Sequence, residues 1–338
     1  MKRAQIIFLL LSAIQITGYG QQSRTYRRLL RAYDDNDIIN LPGKGTDRGY
    51  SNGTRLDFFF TNDKPSLFFL NRIMPKAGDS STNTLGFSLM QVIYTPKNVL
   101  KRIPERNDYA YAGGLYATHS LLSSNPVKKV SWQTEVMLGV MGPPSLAKQA
   151  QWQAHKMVGI VRPIGWDYQL KTDLLLNVSV AAEKELIHIG NMVEGMGGAQ
   201  AFVGTAMNGA SLYALLRIGK MTPYFKGYIS QFSTPKGNNS RWQVYGIVRP
   251  AVDLALTHAL IDGGVFNGGN EPVPEPDTDY DEPVVGKRER NPVVAKLGYG
   301  LVISGAGVAI SFTQTTMTAA VKGTGKQEIG NISLYFAW

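Results

Sequence analysis

Apolar and polar residues alternate one by one along most of this chain. Between 169 and 183, Leu170, Leu174, Leu176, Val178 and Val180 share one face, while Lys171, Asp173, Asn177, Ser179 and Glu183 share the other. Val130, Trp132, Val136, Leu138 and Val140 oppose Ser131, Gln133 and Glu135 in the same way. The pattern returns at 210–218 and at 307–315. Side chains of an extended strand point to opposite faces in turn, so period two predicts β-strands. A soluble sandwich alternates as well, and length separates the two cases. These runs extend over ~9–15 residues, beyond the ~5–6 of a typical globular strand and enough for the ~9–11 that a tilted strand needs to cross a bilayer.

Twelve segments carry the pattern: 24–37, 49–62, 83–95, 109–122, 128–141, 167–184, 188–204, 208–220, 238–260, 285–303, 306–320 and 328–338. An even count suits a single-chain bacterial barrel, with longer connections outside the cell and shorter ones in the periplasm. In the last segment Ile332, Leu334, Phe336 and Trp338 share a face, and Asn331, Ser333 and Tyr335 the other. A final strand ending in an aromatic resembles the signal that outer-membrane assembly machinery reads. The expected fold is therefore all-β: an antiparallel transmembrane β-barrel of about 12 strands. The even-numbered positions of 170–182 and 332–338 are expected to face lipid. A lumen of this size is narrow and filled by side chains, which argues against an open pore.

One segment breaks the alternation. After Pro143 and Pro144, Ser145–Val158 has helical composition, with Ser145 placed to cap it and Arg162-Pro163 to end it. Gln151 and His155, four apart, share one face of that helix. The acidic, Pro-rich stretch Glu271–Glu282 reads as a loop tip.

Composition sharpens this picture. Lys2 and Arg3, the apolar run Ile6–Ile14 and the small residues around Gly20 form a secretory signal peptide over residues 1–20, leaving a barrel domain over 21–338. Its removal takes the formal charge from +10 to +8 by loss of Lys2 and Arg3. A basic exported protein suits an anionic glycolipid, although solubility alone accounts for such a charge equally well. The chain has no cysteine, which excludes disulfides, thiolate metal sites and a lipoprotein anchor. No apolar run approaches the ~20 residues of a membrane helix.

Of the four histidines, His119, His155, His188 and His258, only His155 stands inside a dense motif block. A neutral imidazole is a suitable general base for ester hydrolysis, although a helical histidine beside a tryptophan also suits a purely structural role. Asn36 and Asp37 follow a strand and offer hard oxygen donors to a cation such as calcium; the same pair is good turn chemistry. Ser51 shares its parity with Arg55 and Asp57, while Leu56, Phe58 and Phe60 take the other, so Ser51 is expected to point into the lumen or the rim and not into lipid.

Several blocks resemble the lipid A 3′-O-deacylases. They are Asp35-Asn36-Asp37, then Thr46-Asp47-Arg48-Gly49-Tyr50-Ser51-Asn52-Gly53, and Tyr111-Ala112-Gly113-Gly114-Leu115-Tyr116. The most specific is Leu138-Gly139-Val140-Met141-Gly142-Pro143 with Gln151, His155 and Arg162–Leu170. They occur in the family's order and span essentially the whole mature chain.

The resemblance implies a twelve-stranded barrel in a Gram-negative outer membrane, with its site near the outer leaflet. It implies a Ca²⁺-dependent hydrolase that removes the 3′-linked acyloxyacyl group of lipid A in lipopolysaccharide. His155 would activate water, Ser51 would serve as an essential hydroxyl, Gln151 would orient the base or the water, and Asn36 and Asp37 would hold the ion. The expected partners are lipid A and the membrane, for a monomer with no nucleic-acid partner. One departure stands out: a glutamate common six positions after the histidine is Val161 here, and Asp167 is the candidate substitute. The family's lysine would be Lys97 or Lys101. An outer-membrane phospholipase or esterase of broader specificity, and a catalytically decayed barrel, are the alternative readings.

Overall fold

The computed structural model describes residues 26–41, 48–62, 68–105, 108–232, 242–267 and 288–338. The expected signal peptide and the stretch Glu271–Glu282 lie outside the described residues. The strands are β1 (Arg28–Asn36), β2 (Gly49–Phe60), β3 (Thr82–Thr95), β4 (Ala112–Asn125), β5 (Val130–Met141), β6 (Asp173–Ile189), β7 (Val193–Gly204), β8 (Met207–Lys220), β9 (Trp242–His258), β10 (Val293–Gly305), β11 (Val308–Met317) and β12 (Gln327–Ala337). Each pairs antiparallel with its sequence neighbours. β1 closes the ring on β12, with Leu29 opposite Ala337 through to Asn36 opposite Gly330. Full closure leaves no sheet edge exposed in lipid.

The alternation resolves as expected along most of the wall. Leu174, Leu176 and Val178 point outward and Leu176 is 42% exposed, while Asp173, Leu175 and Asn177 are buried inward. Phe336 and Trp338 are exposed on β12, and Trp338 lies 6.2 Å from outward-facing Phe58. Leu170 departs from the expectation. β6 begins only at Asp173, and Leu170 sits in the preceding connection, buried among Tyr109, Tyr116 and Met141. Its N–H donates to the Tyr111 carbonyl at 2.9 Å.

The lumen is filled by paired charges. Asp57 accepts from the guanidinium groups of Arg31 and Arg55, each at 2.7 Å, and Arg55 reaches Glu135 at 2.7 Å. Ser88 donates to Asp57 at 2.6 Å. Buried charges survive only when paired and hydrogen bonded in this way. Above this network a cavity of about 280 Å³ lies among Tyr50, Tyr94, Tyr116, Thr118 and His258. The short helix α3 (Ala259–Asp262) supplies Leu260 to its lining.

The chain enters β1 and leaves β12 at one end, which also carries the tight turns β4–β5, β6–β7 and β10–β11. That end is periplasmic and the opposite one, with the longest loops, extracellular. Two periplasmic connections, β2–β3 and β8–β9, are longer than expected, and their described parts, 68–81 and 221–232, fold back on the barrel. The second turns into the lumen: Ser124 donates to the Phe225 carbonyl at 2.8 Å, and Tyr228 stacks on Phe59 at 5.2 Å. The first carries helix α1 (Phe69–Ile73) along the outer wall. On the extracellular side, the β5–β6 connection holds helix α2 (Ala147–Val158).

Candidate active site

The sequence-predicted residues stand at the extracellular rim. Asn36 ends β1, and its side-chain oxygen accepts the Ile38 N–H at 2.8 Å, so it shapes its own turn. Asp37 follows, only 2% exposed. Its N–H donates to the Ser51 carbonyl at 3.2 Å and its carboxylate accepts the Arg48 N–H at 3.2 Å. Those two bonds lash the end of β1 to the start of β2.

Ser51 stands at the rim and not in the lumen. The β2–β3 register breaks between Tyr50, opposite Tyr94, and Asn52, opposite Ile93. Ser51 is the extra residue of a β-bulge, which re-aims a side chain. Tyr50 and Tyr94 line the lumen cavity, whereas the Ser51 hydroxyl meets that of Thr95, on the opposite face of β3. Ser51 therefore points outward, while Arg55 and Asp57 keep the lumen side.

More polar groups share that outer corner. Asn52 donates to the Asp34 carboxylate at 3.1 Å, and Thr54 donates to it at 2.6 Å. Asp34, Thr54 and Thr95 escaped the sequence reading. Their signal was legible: Asp34 is in phase with Leu30, and Asn52 and Thr54 with Leu56 and Phe58, positions that otherwise face lipid.

Helix α2 lies against the same outer wall. Ala147 packs with Ile93, Tyr111 and Trp166, and Gln91 donates to the Ser145 carbonyl at 2.6 Å. A side chain at Gly113 would fall on Ser145 and Ala147, so glycine there sets the close approach. The expected helix start shifts. Leu146, with φ of 60°, takes the cap position after a 3₁₀ turn over Pro143–Ser145, and the Ser145 hydroxyl donates to the Gly142 carbonyl at 2.6 Å. The stop is Gly159, not Arg162-Pro163. Its φ of 73° is the left-handed cap that glycine adopts freely.

Ala147, Gln151 and His155 are the buried stripe of α2, at the i, i+4, i+8 spacing of one helix face. Trp166 donates its indole N–H to the Gln151 side-chain oxygen at 2.7 Å. His155, 4% exposed, holds its Nδ1 2.6 Å from the Val161 carbonyl. A carbonyl only accepts, so Nδ1 is the donor in this bond, the arrangement that in a neutral imidazole puts the lone pair on Nε2. The reversed chain after Gly159 delivers that carbonyl at the position where a glutamate was expected. Asp167 does not substitute for it; it pairs with Lys148 at 2.6 Å on the exposed side.

The other histidines stand elsewhere. His119 lies under α1, His188 beside Glu185 near the periplasmic end, and His258 beside Tyr94 in the lumen. Lys101 donates to Glu105 at 2.9 Å and so holds that carboxyl below its ordinary value. The Lys97 backbone N–H donates to Asp108 at 2.7 Å. Around α2 the chain exposes Met157, Val158, Ile160, Val161 and Ile164.

The whole-chain comparisons agree with this architecture. The family model described as Outer membrane protein LpxR matches residues 6–338. LpxR from Salmonella typhimurium superposes with a TM-score of 0.69 at 17% identity, over 92% of this chain and 100% of its own. The β domain of the Bordetella autotransporter BrkA gives a TM-score of 0.45 at 8% identity, over 93% of this chain and 100% of its own. The translocator domain of the autotransporter NalP from Neisseria meningitidis gives 0.43 at 8% identity, over 99% and 94%. A search of curated proteins finds no match. With the family model covering nearly every residue, this outer-membrane β-barrel belongs to the LpxR family, the lipid A 3′-O-deacylases that its motifs resemble.

Proposed function

We propose that this chain, as a monomer, hydrolyses the 3′ ester of lipid A in the outer leaflet, with His155 as general base. The observation that supports it most is the Nδ1–H bond to Val161, which fixes the imidazole on the outer wall and leaves Nε2 basic. Nε2 takes a proton from water as the water oxygen bonds to the ester carbonyl carbon. The carbon–oxygen bond to the sugar then breaks, and the imidazolium returns the proton to the sugar oxygen. The products are an acyloxyacyl acid and lipid A with a free 3′-hydroxyl. The Ser51 hydroxyl, turned outward by its bulge, donates to the developing oxyanion. Gln151, tied to Trp166, keeps the helix face in register.

Among the described residues, Asn36, Asp37 and Ser51 at the hairpin corner offer oxygen donors, a set that fits Ca²⁺. Asn36 and Asp37 would hold the ion. When bound, it would supply positive charge for the ester oxygen. Water is the simplest nucleophile, because the chain has neither cysteine nor a Gly-x-Ser-x-Gly elbow.

The test is mass spectrometry of lipid A treated with the folded protein. His155→Ala should slow 3′-deacylation by ~10²–10⁴-fold, the usual worth of a general base, with the barrel still assembled. Chelating calcium should abolish activity reversibly. Wild-type turnover by His155→Ala would remove the proposed base, and an acyl group trapped on Ser51 would then establish covalent catalysis instead.

A further inference from the structure

The strap formed by residues 68–80 has no role in this chemistry. It runs down the outside of β3 and β4 from mid-wall to the periplasmic end. Ala77 marks its lower end: its N–H donates to the Ser123 hydroxyl at 2.9 Å, and its carbonyl accepts from Asn125 at 2.9 Å, both near the end of β4. Met74 packs with Leu85 and Leu121, flanked by Phe60, Leu70 and Val136. Asn71 marks its upper reach, accepting from His119 Nε2 at 2.7 Å. His119 stands midway along β4 and, by alternation with Thr118 and Ser120, points outward. The rings of Phe68 and Phe87 flank it at 5.2 Å and 4.8 Å.

The strap thus shields a polar residue of the lipid-facing wall and turns its own apolar side out. Phe69 is 63% exposed and Ile73 is 72% exposed, with Phe68 beside them. This surface continues the exposed band of Leu56, Phe87 and Leu89, which is already the barrel's lipid interface. Arg72 and Lys76 are exposed on the same strap and long enough to carry their charges to the membrane surface.

We propose that the strap lies inside the periplasmic half of the bilayer, with lipid acyl chains against Phe68, Phe69 and Ile73 and headgroup phosphates against Arg72 and Lys76. Its height argues for this: an element joined both to mid-wall His119 and to the periplasmic end of β4 cannot stand clear of the hydrocarbon. Its turn pairs Asn71 N–H with the Phe68 carbonyl and Met74 N–H with the Leu70 carbonyl, each at 3.1 Å, and Ser123 and Asn125 take both backbone groups of Ala77, the kind of internal pairing that hydrocarbon demands.

The absence of cysteine makes the test direct. Phe69→Cys and Ile73→Cys, each carrying a nitroxide, are folded into phosphatidylethanolamine–phosphatidylglycerol vesicles. Leu176→Cys on the lipid-facing wall and Val127→Cys in the β4–β5 turn serve as references. Collision rates with oxygen and with a water-soluble nickel chelate are then compared. The ratio at 69 and 73 should match that at 176. A ratio like that at 127 would place the strap in water and overturn the proposal. Spin–spin broadening at 69 that vanishes on dilution with unlabelled protein would overturn it in favour of a second copy as the occupant. Heat-modifiable migration on gels confirms that each labelled barrel is folded.

Discussion

At the scale of single residues, the orientation of His155 rests on a main-chain atom. The Val161 side chain is exposed while its carbonyl holds Nδ1. Val161→Ala should therefore leave kcat within about twofold, as expected of a surface side chain worth less than ~0.5 kcal/mol. Gly159→Ala should do more. The added methyl meets open space, so steric contact is not the cause; the left-handed backbone is, at ~1–2 kcal/mol. Its expected outcome is a lower kcat with an intact barrel, read by turnover on purified lipid A alongside heat-modifiable migration. The spacing of Gln151 and His155 puts both on the buried face of α2, as expected, but a carbonyl standing where a carboxylate was expected could not be read from sequence. Of the two positions that parity left open for Ser51, lumen or rim, it takes the rim. Alternation counts residues, and Tyr50-Ser51-Asn52-Gly53 contains no aliphatic residue to reveal that one of them is extra.

At the scale of elements, the site joins two pieces that the sequence separates widely. The β1–β2 hairpin brings the oxygen donors, and α2 brings His155, the proposed base. Their common ground is the outer face of β3, where Thr95 meets Ser51 and Ile93 meets Ala147. Gly113 on neighbouring β4 controls how near α2 can come. Gly113→Val should push α2 off the wall, abolish deacylation and leave the barrel folded, since the β3–β4 ladder does not depend on that side chain. Loss of assembly instead, seen on gels, would show that α2 is part of the wall's stability. The strands themselves were legible from alternation, with the interior of β5 and β11 placed closely. The start of β6 was not, because Leu170 keeps the alternating phase while belonging to the packed connection above the wall.

At the scale of the molecule, opposite solvents lie on the two sides of one sheet. The lumen is closed by Arg31, Asp57, Arg55 and Glu135 and, from the periplasmic side, by Phe225 and Tyr228. The described outer wall is largely apolar, with polar groups at the corner that carries the candidate site, beneath α2 and beneath the strap at His119. Leu176→Arg tests the lipid face directly: a charge at mid-strand should destabilise the inserted barrel by ~2–4 kcal/mol, measured by reversible unfolding in vesicles. Wild-type stability would contradict the lipid exposure of Leu176. The closed ring and its membrane setting could be read from the length of the alternating strands and their even number. The two inward- and outward-folding periplasmic connections could not, because neither has a repeating pattern to betray where it docks.

With the proposed site, the bulge that turns Ser51 away from the lumen sets the dimensionality of the reaction. A site on the outer wall meets its substrate by lateral diffusion within one leaflet, so what governs encounter is the mole fraction of lipid A around the barrel and not its bulk molarity. Spreading a fixed amount of lipopolysaccharide through more inert phospholipid should slow turnover in proportion, even though nothing in the test tube has been diluted with water. Both products are also released into that plane, where the freed acid competes for the same wall until it leaves the membrane.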